Sequence, residues 1–166
     1  MGDSKLELST IQSIKKTLIE RKIWLSVAES VTCGNLQAKF GGVAGVSDCF
    51  KGGITAYSIF EKVKFLKVDG REAQKVDCVS PEIAGQMAKG VSGMFETEIG
   101  IATTGYAQKD EKNEAHAYFA IYLKEKDSII IEDVLYAEGK ERTEFQVHIA
   151  EIVFERLLDY LNDNPS

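Results

Sequence analysis

Five short runs rich in branched and aromatic residues, Ile23 to Ala28, Gly52 to Tyr57, Ile99 to Thr103, Ala117 to Leu123 and Ile129 to Leu135, alternate with segments of helical periodicity. Apolar runs of this length bounded by polar residues read as strands. Leu8, Ile11, Ile14, Leu18 and Ile19 recur at helical spacing in an opening amphipathic helix, with Ser9 or Thr10 as its cap. A helix from Thr32 to Phe40 ends at Gly41-Gly42, and a short one from Phe60 to Leu66 is expected to turn Val63 and Leu66 inward. Asp69-Gly70 reads as a turn. Pro81 after Ser80 marks the clearest helix start, because proline at the first helical position lacks only a donor that would be unpaired there; Ile83, Met87, Val91 and Phe95 line one face beyond it. The last two strands flank Glu125-Lys126-Asp127-Ser128 and pair as an antiparallel hairpin. A closing helix from about Thr143 to Leu161 carries the stripe Val147, Ala150, Val153, Phe154, Leu157, Leu158 and Leu161. Alternating strands and helices with a late antiparallel pair predict an α/β fold, a three-layer α/β/α sandwich around a mixed, mostly parallel sheet. No repeat, low-complexity tract or Pro/Ser-rich linker divides the 166 residues, so one domain spanning 1–166 is expected.

Composition narrows the function classes. With 44% hydrophobic residues the chain fills a core without staples. A net charge of −6 argues against nucleic acid as the partner, since such modules carry a clustered basic face. Cys33, Cys49 and Cys78 are odd in number and far apart, which indicates neither a disulfide framework nor a metal site and fits reduced thiols in a cytosol. Met1-Gly2-Asp3-Ser4-Lys5 lacks the basic then apolar order of a signal peptide, and no run reaches the roughly 18 apolar residues of a membrane span. A cytoplasmic protein without a membrane partner is expected.

Ligands of α/β sheets collect where strands end and helices begin, because unpaired N–H groups and the positive end of the helix dipole lie there. The junction Glu29-Ser30-Val31-Thr32-Cys33-Gly34 supplies two hydroxyls and a carboxylate at such a point. On spacing alone, Ser30 or Thr32 reads as a helix cap. A serine nucleophile needs a base, and a desolvated lysine is one solution. Lys62 is the candidate, with Tyr57 beside it, although a lysine on a short helix ordinarily sits in solvent. Cys33 is an alternative nucleophile, because a helix N-terminus lowers a thiol's pKa. His116 and His148 read as structural or surface residues, and Lys109 to Glu114 as a solvated loop or a lid.

Taken together, Ala28-Glu29-Ser30-Val31-Thr32-Cys33-Gly34, Gly52-Gly53-Ile54-Thr55-Ala56-Tyr57-Ser58 with Lys62, Val79-Ser80 before a helix, and Thr104-Gly105-Tyr106-Ala107 resemble the C-terminal domain of the CinA family. That family includes nicotinamide-nucleotide amidohydrolases, which convert nicotinamide mononucleotide to nicotinic acid mononucleotide and ammonia. The resemblance implies a three-layer α/β/α fold, a homodimer, a small-molecule nucleotide substrate, and no metal or other cofactor. It makes Ser30 the nucleophile of the A-E-S motif, Lys62 the base and Tyr57 the motif's tyrosine, with Cys33 and Gly34 N–H groups stabilising the oxyanion. It assigns substrate contacts to Glu29, Thr32, Cys33, Gly34, Thr104, Gly105, Lys112 and Arg142. The chain departs from the pattern at Cys33, where the family has glycine, at Ile59, where it has asparagine, and from Tyr106 to Asp110, where it has a loop rich in glycine and containing proline. Gln146 stands where a second basic residue is common. Two readings therefore stand side by side: an amidohydrolase with altered substrate recognition, or a silent relative that binds a nucleotide or a protein without turnover.

Overall fold

The computed structural model describes residues 2–165, with side chains from Leu8 onward. The order is α1 (Gly2–Arg21), β1 (Leu25–Glu29), α2 (Asn35–Gly41), β2 (Phe50–Thr55), α3 (Ile59–Leu66), α4 (Gly70–Lys75), α5 (Pro81–Phe95), β3 (Ile99–Tyr106), β4 (His116–Leu123), β5 (Ser128–Tyr136) and α6 (Arg142–Asp163). The strands form one sheet in the order β2-β1-β3-β4-β5. β1 pairs parallel with β2 and β3, while β3–β4 and β4–β5 pair antiparallel, so the expected α/β fold and its late hairpin are both present. Only β4 runs against the other strands.

Alternation along the strands sorts the two faces by size. Leu25, Val27, Ile99, Ile101, Phe119 and Ile121 point to one side and form a core with α1, α2 and α6, closed by Ile14, Phe40, Phe154 and their neighbours. Ala28, Ala102 and Ala120 point to the other and meet Ile83, Met87 and Val91 of α5. Small side chains there let α5 approach the backbone. A Cβ added at Gly100 would lie 2.0 Å from the Ala88 carbonyl oxygen, and one at Gly90 would lie 2.0 Å from that of Leu66. The two glycines thus hold α5 against the sheet and α3 against α5.

Three local expectations change. Asp69-Gly70 opens the helix α4 rather than a simple turn, because the Asp69 side chain accepts from the N–H groups of Arg71 and Glu72. The inward face of α3 is Lys62 and Leu66, while Val63 is 38% exposed, so the helix is rotated from the orientation hydrophobicity alone predicts. Leu8 and Ile19 lie at the exposed edge of the α1 stripe, which buries Ile11, Ile14 and Leu18. Ser80 caps α5 as the Ser80-Pro81 signal indicates, its Oγ accepting from the Ile83 N–H. Among the described residues no helix is long and apolar enough to cross a membrane.

Candidate active site

β1 ends at Glu29, and the chain turns at once into Ser30. The Ser30 N–H donates to the carbonyl of Thr103 on β3 (3.1 Å), which fixes the serine at the carboxyl edge of two adjacent parallel strands. Its hydroxyl is almost buried. From α3, Lys62 Nζ donates to Ser30 Oγ (2.9 Å) and to the Tyr57 carbonyl (2.9 Å). Lys62 is 1% exposed, which replaces the solvated lysine expected from sequence with a buried amine. Burial pushes its pKa below the ordinary 10.5, and the thiol of Cys78 and the carboxylates of Asp77 and Glu61 pull in the opposite direction. A lysine whose charge burial disfavours, in contact with a serine hydroxyl, is the arrangement a serine nucleophile requires.

These groups line a cavity of about 430 Å³ together with Tyr57, Asp77, Cys78, Thr104, Gly105 and Tyr106. Tyr57 is 57% exposed; its carbonyl anchors Lys62 while its hydroxyl accepts from Arg142 Nη2 at the start of α6 (3.0 Å). Arg142 therefore sits one hydrogen bond outside the lining. Thr104 is buried, and its Oγ1 donates to the Cys78 carbonyl (2.6 Å), tying the end of β3 to the segment before α5.

The remaining candidates have other partners. Glu29 is 0% exposed. Its Oε2 accepts from Thr32 Oγ1 (2.6 Å), Gly34 N (2.9 Å) and Leu36 N (3.0 Å), and its Oε1 from Gln37 N (2.8 Å) and Gln37 Nε2 (3.2 Å). The cap of α2 is thus neither Ser30 nor Thr32 but a buried carboxylate, which fills the positive helix end that such junctions otherwise offer to a ligand. Thr32 is also buried, shared between Glu29 and Thr103 Oγ1 (2.8 Å). The expected oxyanion donors are occupied as well: Cys33 N–H donates to the Ser30 carbonyl (3.2 Å) and Gly34 N–H to Glu29. Cys33 is exposed, with φ +48° where a glycine relieves the strain, and it does not line the cavity. Lys112 lies on an exposed turn organised by Asp110, away from the lining. Gln146 of α6 donates to the Val31 carbonyl (2.9 Å), bracing the turn from Glu29 to Gly34.

The sequence assigns no site role to Asp77 or Tyr106, which both line the cavity. Asp77 and Tyr106 meet through the Tyr106 hydroxyl, which donates to Asp77 Oδ2 (3.0 Å). His116, opposite Tyr106 in the β3–β4 register, packs edge-on against it and belongs to a ring cluster with Tyr118 and Tyr136, a structural place as expected. His148 is half-buried on α6, 4.0 Å from the Glu151 carboxylate.

A family model described as the CinA C-terminal domain matches residues 7–161. A protein of Alkaliphilus oremlandii named as competence-damage inducible is 39% identical over 106 residues, covering 64% of this chain and 25% of that one. A CinA-like protein of Thermosipho melanesiensis is 34% identical over 140 residues, covering 82% of this chain and 35% of that one. The chain thus spans only part of the length of these relatives. A solved structure of the competence damage-inducible protein A from Klebsiella pneumoniae superposes with a TM-score of 0.87 at 21% identity, covering 94% of this chain and 97% of that one, and shows the same fold.

Proposed function

The chain belongs to the CinA C-terminal domain family, and from that premise we propose that it is a serine–lysine amidohydrolase acting on the carboxamide of nicotinamide mononucleotide. The observation that carries the reading is the 2.9 Å contact between Ser30 Oγ and a buried Lys62 Nζ whose charge burial disfavours. In its neutral form the amine reverses that contact and accepts the serine proton. Ser30 Oγ then bonds to the carboxamide carbon. The tetrahedral adduct collapses as Lys62 returns the proton to nitrogen, and ammonia leaves. Water, deprotonated by Lys62, cleaves the acyl ester, giving nicotinic acid mononucleotide and free Ser30. The Tyr57 carbonyl keeps the amine on line with Ser30 throughout.

Because Glu29 already fills the N-terminus of α2, the substrate phosphate needs a different cation, and Arg142 at the rim supplies one. The experiment is ammonia release from nicotinamide mononucleotide by purified protein. Release by wild type and none by Ser30→Ala is the expected outcome. No release from well-folded wild type refutes the hydrolase and leaves the silent binding module.

A further inference from the structure

We propose that Asp77, oriented by Tyr106, recognises a positive charge on the ring bearing the scissile carboxamide, so that the cavity selects cationic over neutral substrates; the inference rests on the amidohydrolase reading above. Asp77 is the one carboxylate in the lining among the described residues. Its Oδ2 is held by the Tyr106 hydroxyl, and its Oδ1 accepts from no protein donor among the described residues. One oxygen is therefore fixed and the other is free to face a ligand.

The backbone is built to present this carboxylate. Asp77 and Cys78 both adopt left-handed conformations, φ +48° and +60°, which aspartate tolerates better than most residues. Hydrogen bonds pin the segment on both sides: Cys78 N–H to the Ala73 carbonyl (2.8 Å), Val79 N–H to the Val76 carbonyl (2.9 Å), and Thr104 Oγ1 to the Cys78 carbonyl. Tyr106 is positioned in turn by the edge contact with His116 (5.6 Å between ring centroids).

The other acidic groups of the lining leave Asp77 as its one negative charge among the described residues. Burial and the bond to Asp77 push the Tyr106 phenol up to about 12, burial pushes the Cys78 thiol up, and burial holds Lys62 below its ordinary value. A ring carrying positive charge gains from a carboxylate in this lining, whereas a neutral ring of the same shape gains nothing from it. Together with Arg142 beyond Tyr57, the site offers a cation for the phosphate and an anion for the ring.

The test compares nicotinamide mononucleotide with benzamide riboside 5′-monophosphate, a neutral isostere with the same phosphate, measuring the binding of each to the whole chain by calorimetry. Asp77→Asn is expected to weaken the cationic ligand about fivefold, the scale of a partly exposed charge pair, and to leave the neutral one unchanged. Equal changes for both ligands, or none for either, overturn the proposal. Tyr106→Phe, which keeps the ring and removes the anchor, is expected to weaken the cationic ligand about twofold and to leave the neutral one unchanged. Should circular dichroism show that Asp77→Asn is misfolded, Tyr106→Phe decides, selective loss supporting the proposal and unchanged selectivity refuting it. Absence of ammonia release from wild type would remove the hydrolase reading alone, because the binding ratio still decides the role of Asp77.

Discussion

Lys62 occupies a place where a helix ordinarily buries leucine, and its chemistry follows from that misplacement. Desolvation disfavours the ammonium, so the folded pKa lies below 10.5. Activity that depends on the neutral amine should therefore give a kcat/KM whose rise with pH is centred below 10.5, while Lys62→Met abolishes ammonia release; a rise centred at 10.5 would show an unperturbed lysine. Stability carries the same signature. Between the folded and unfolded pKa values the unfolded chain binds more protons at this site, so unfolding becomes harder as pH rises. The stability of wild type relative to Lys62→Met should accordingly grow as pH rises toward 10.5 in urea titrations, and a flat difference would contradict the assignment. At this scale the sequence marked residues that the fold brings together, Ser30 through a contiguous motif and Lys62 and Tyr57 through the family pattern. It gave Asp77 and Tyr106 no joint role, because their meeting depends on the β3–β4 register and a left-handed turn. It also read Glu29 as a ligand contact, since nothing local reveals that a carboxylate before the turn folds back onto N–H groups five to eight residues on.

That capping makes α2 depend on a single side chain. Glu29→Ala leaves the Gly34, Leu36 and Gln37 N–H groups without their acceptor, inside the protein, and should cost about 3 kcal/mol, against about 1 kcal/mol for the ordinary cap lost in Ser80→Ala. Equal losses in denaturant melts would show that the buried carboxylate adds nothing beyond a usual cap. The α3–α5 contact is equally specific. Gly90→Ala sets a methyl against the Leu66 carbonyl and must push α3 outward, taking Lys62 away from Ser30, so stability should fall by about 2 kcal/mol together with turnover. Gly93→Ala on the same helix meets nothing within 4 Å and should be neutral or slightly stabilising. If both variants behave alike, the close approach does not position the lysine. Elements with strong periodicity or a proline start, α1, α5 and α6, were readable in advance. The six residues of α4 were not, because a helix so short has no apolar period and owes its start to the Asp69 side chain alone. The rotation of α3 was hidden for a related reason: a rule that sends lysine outward assigns the wrong face to a helix that buries one.

Across the whole molecule, the sheet's unequal faces decide where chemistry is possible. The bulky face holds α1, α2 and α6 at a distance that large side chains fill, while the small face draws in α5 and, through it, α3. Ser30 follows β1 at the point where these two packings meet, and the cavity takes its lining from the turn after β1, α3 and the residues before it, α4, the segment before α5, and β3, with α6 at its rim. β1, which Ser30 follows, feeds both cores, and Lys62 sits on α3, which packs on α5, so the geometry of Ser30 and Lys62 exists only while both cores are closed. Trp24, the sole tryptophan, lies just before β1, at the end of that strand away from Ser30, with its backbone N–H donating to the Glu98 carboxylate (2.7 Å), and reports on the sheet. Loss of ammonia release and the change in Trp24 fluorescence should therefore share one urea midpoint, as a cooperative transition requires. Activity lost at lower urea, with the fluorescence still native, would mean that α3 and α4 open as a separate unit, and that the burial on which Lys62 depends is a local property of the small-residue face rather than of the whole fold.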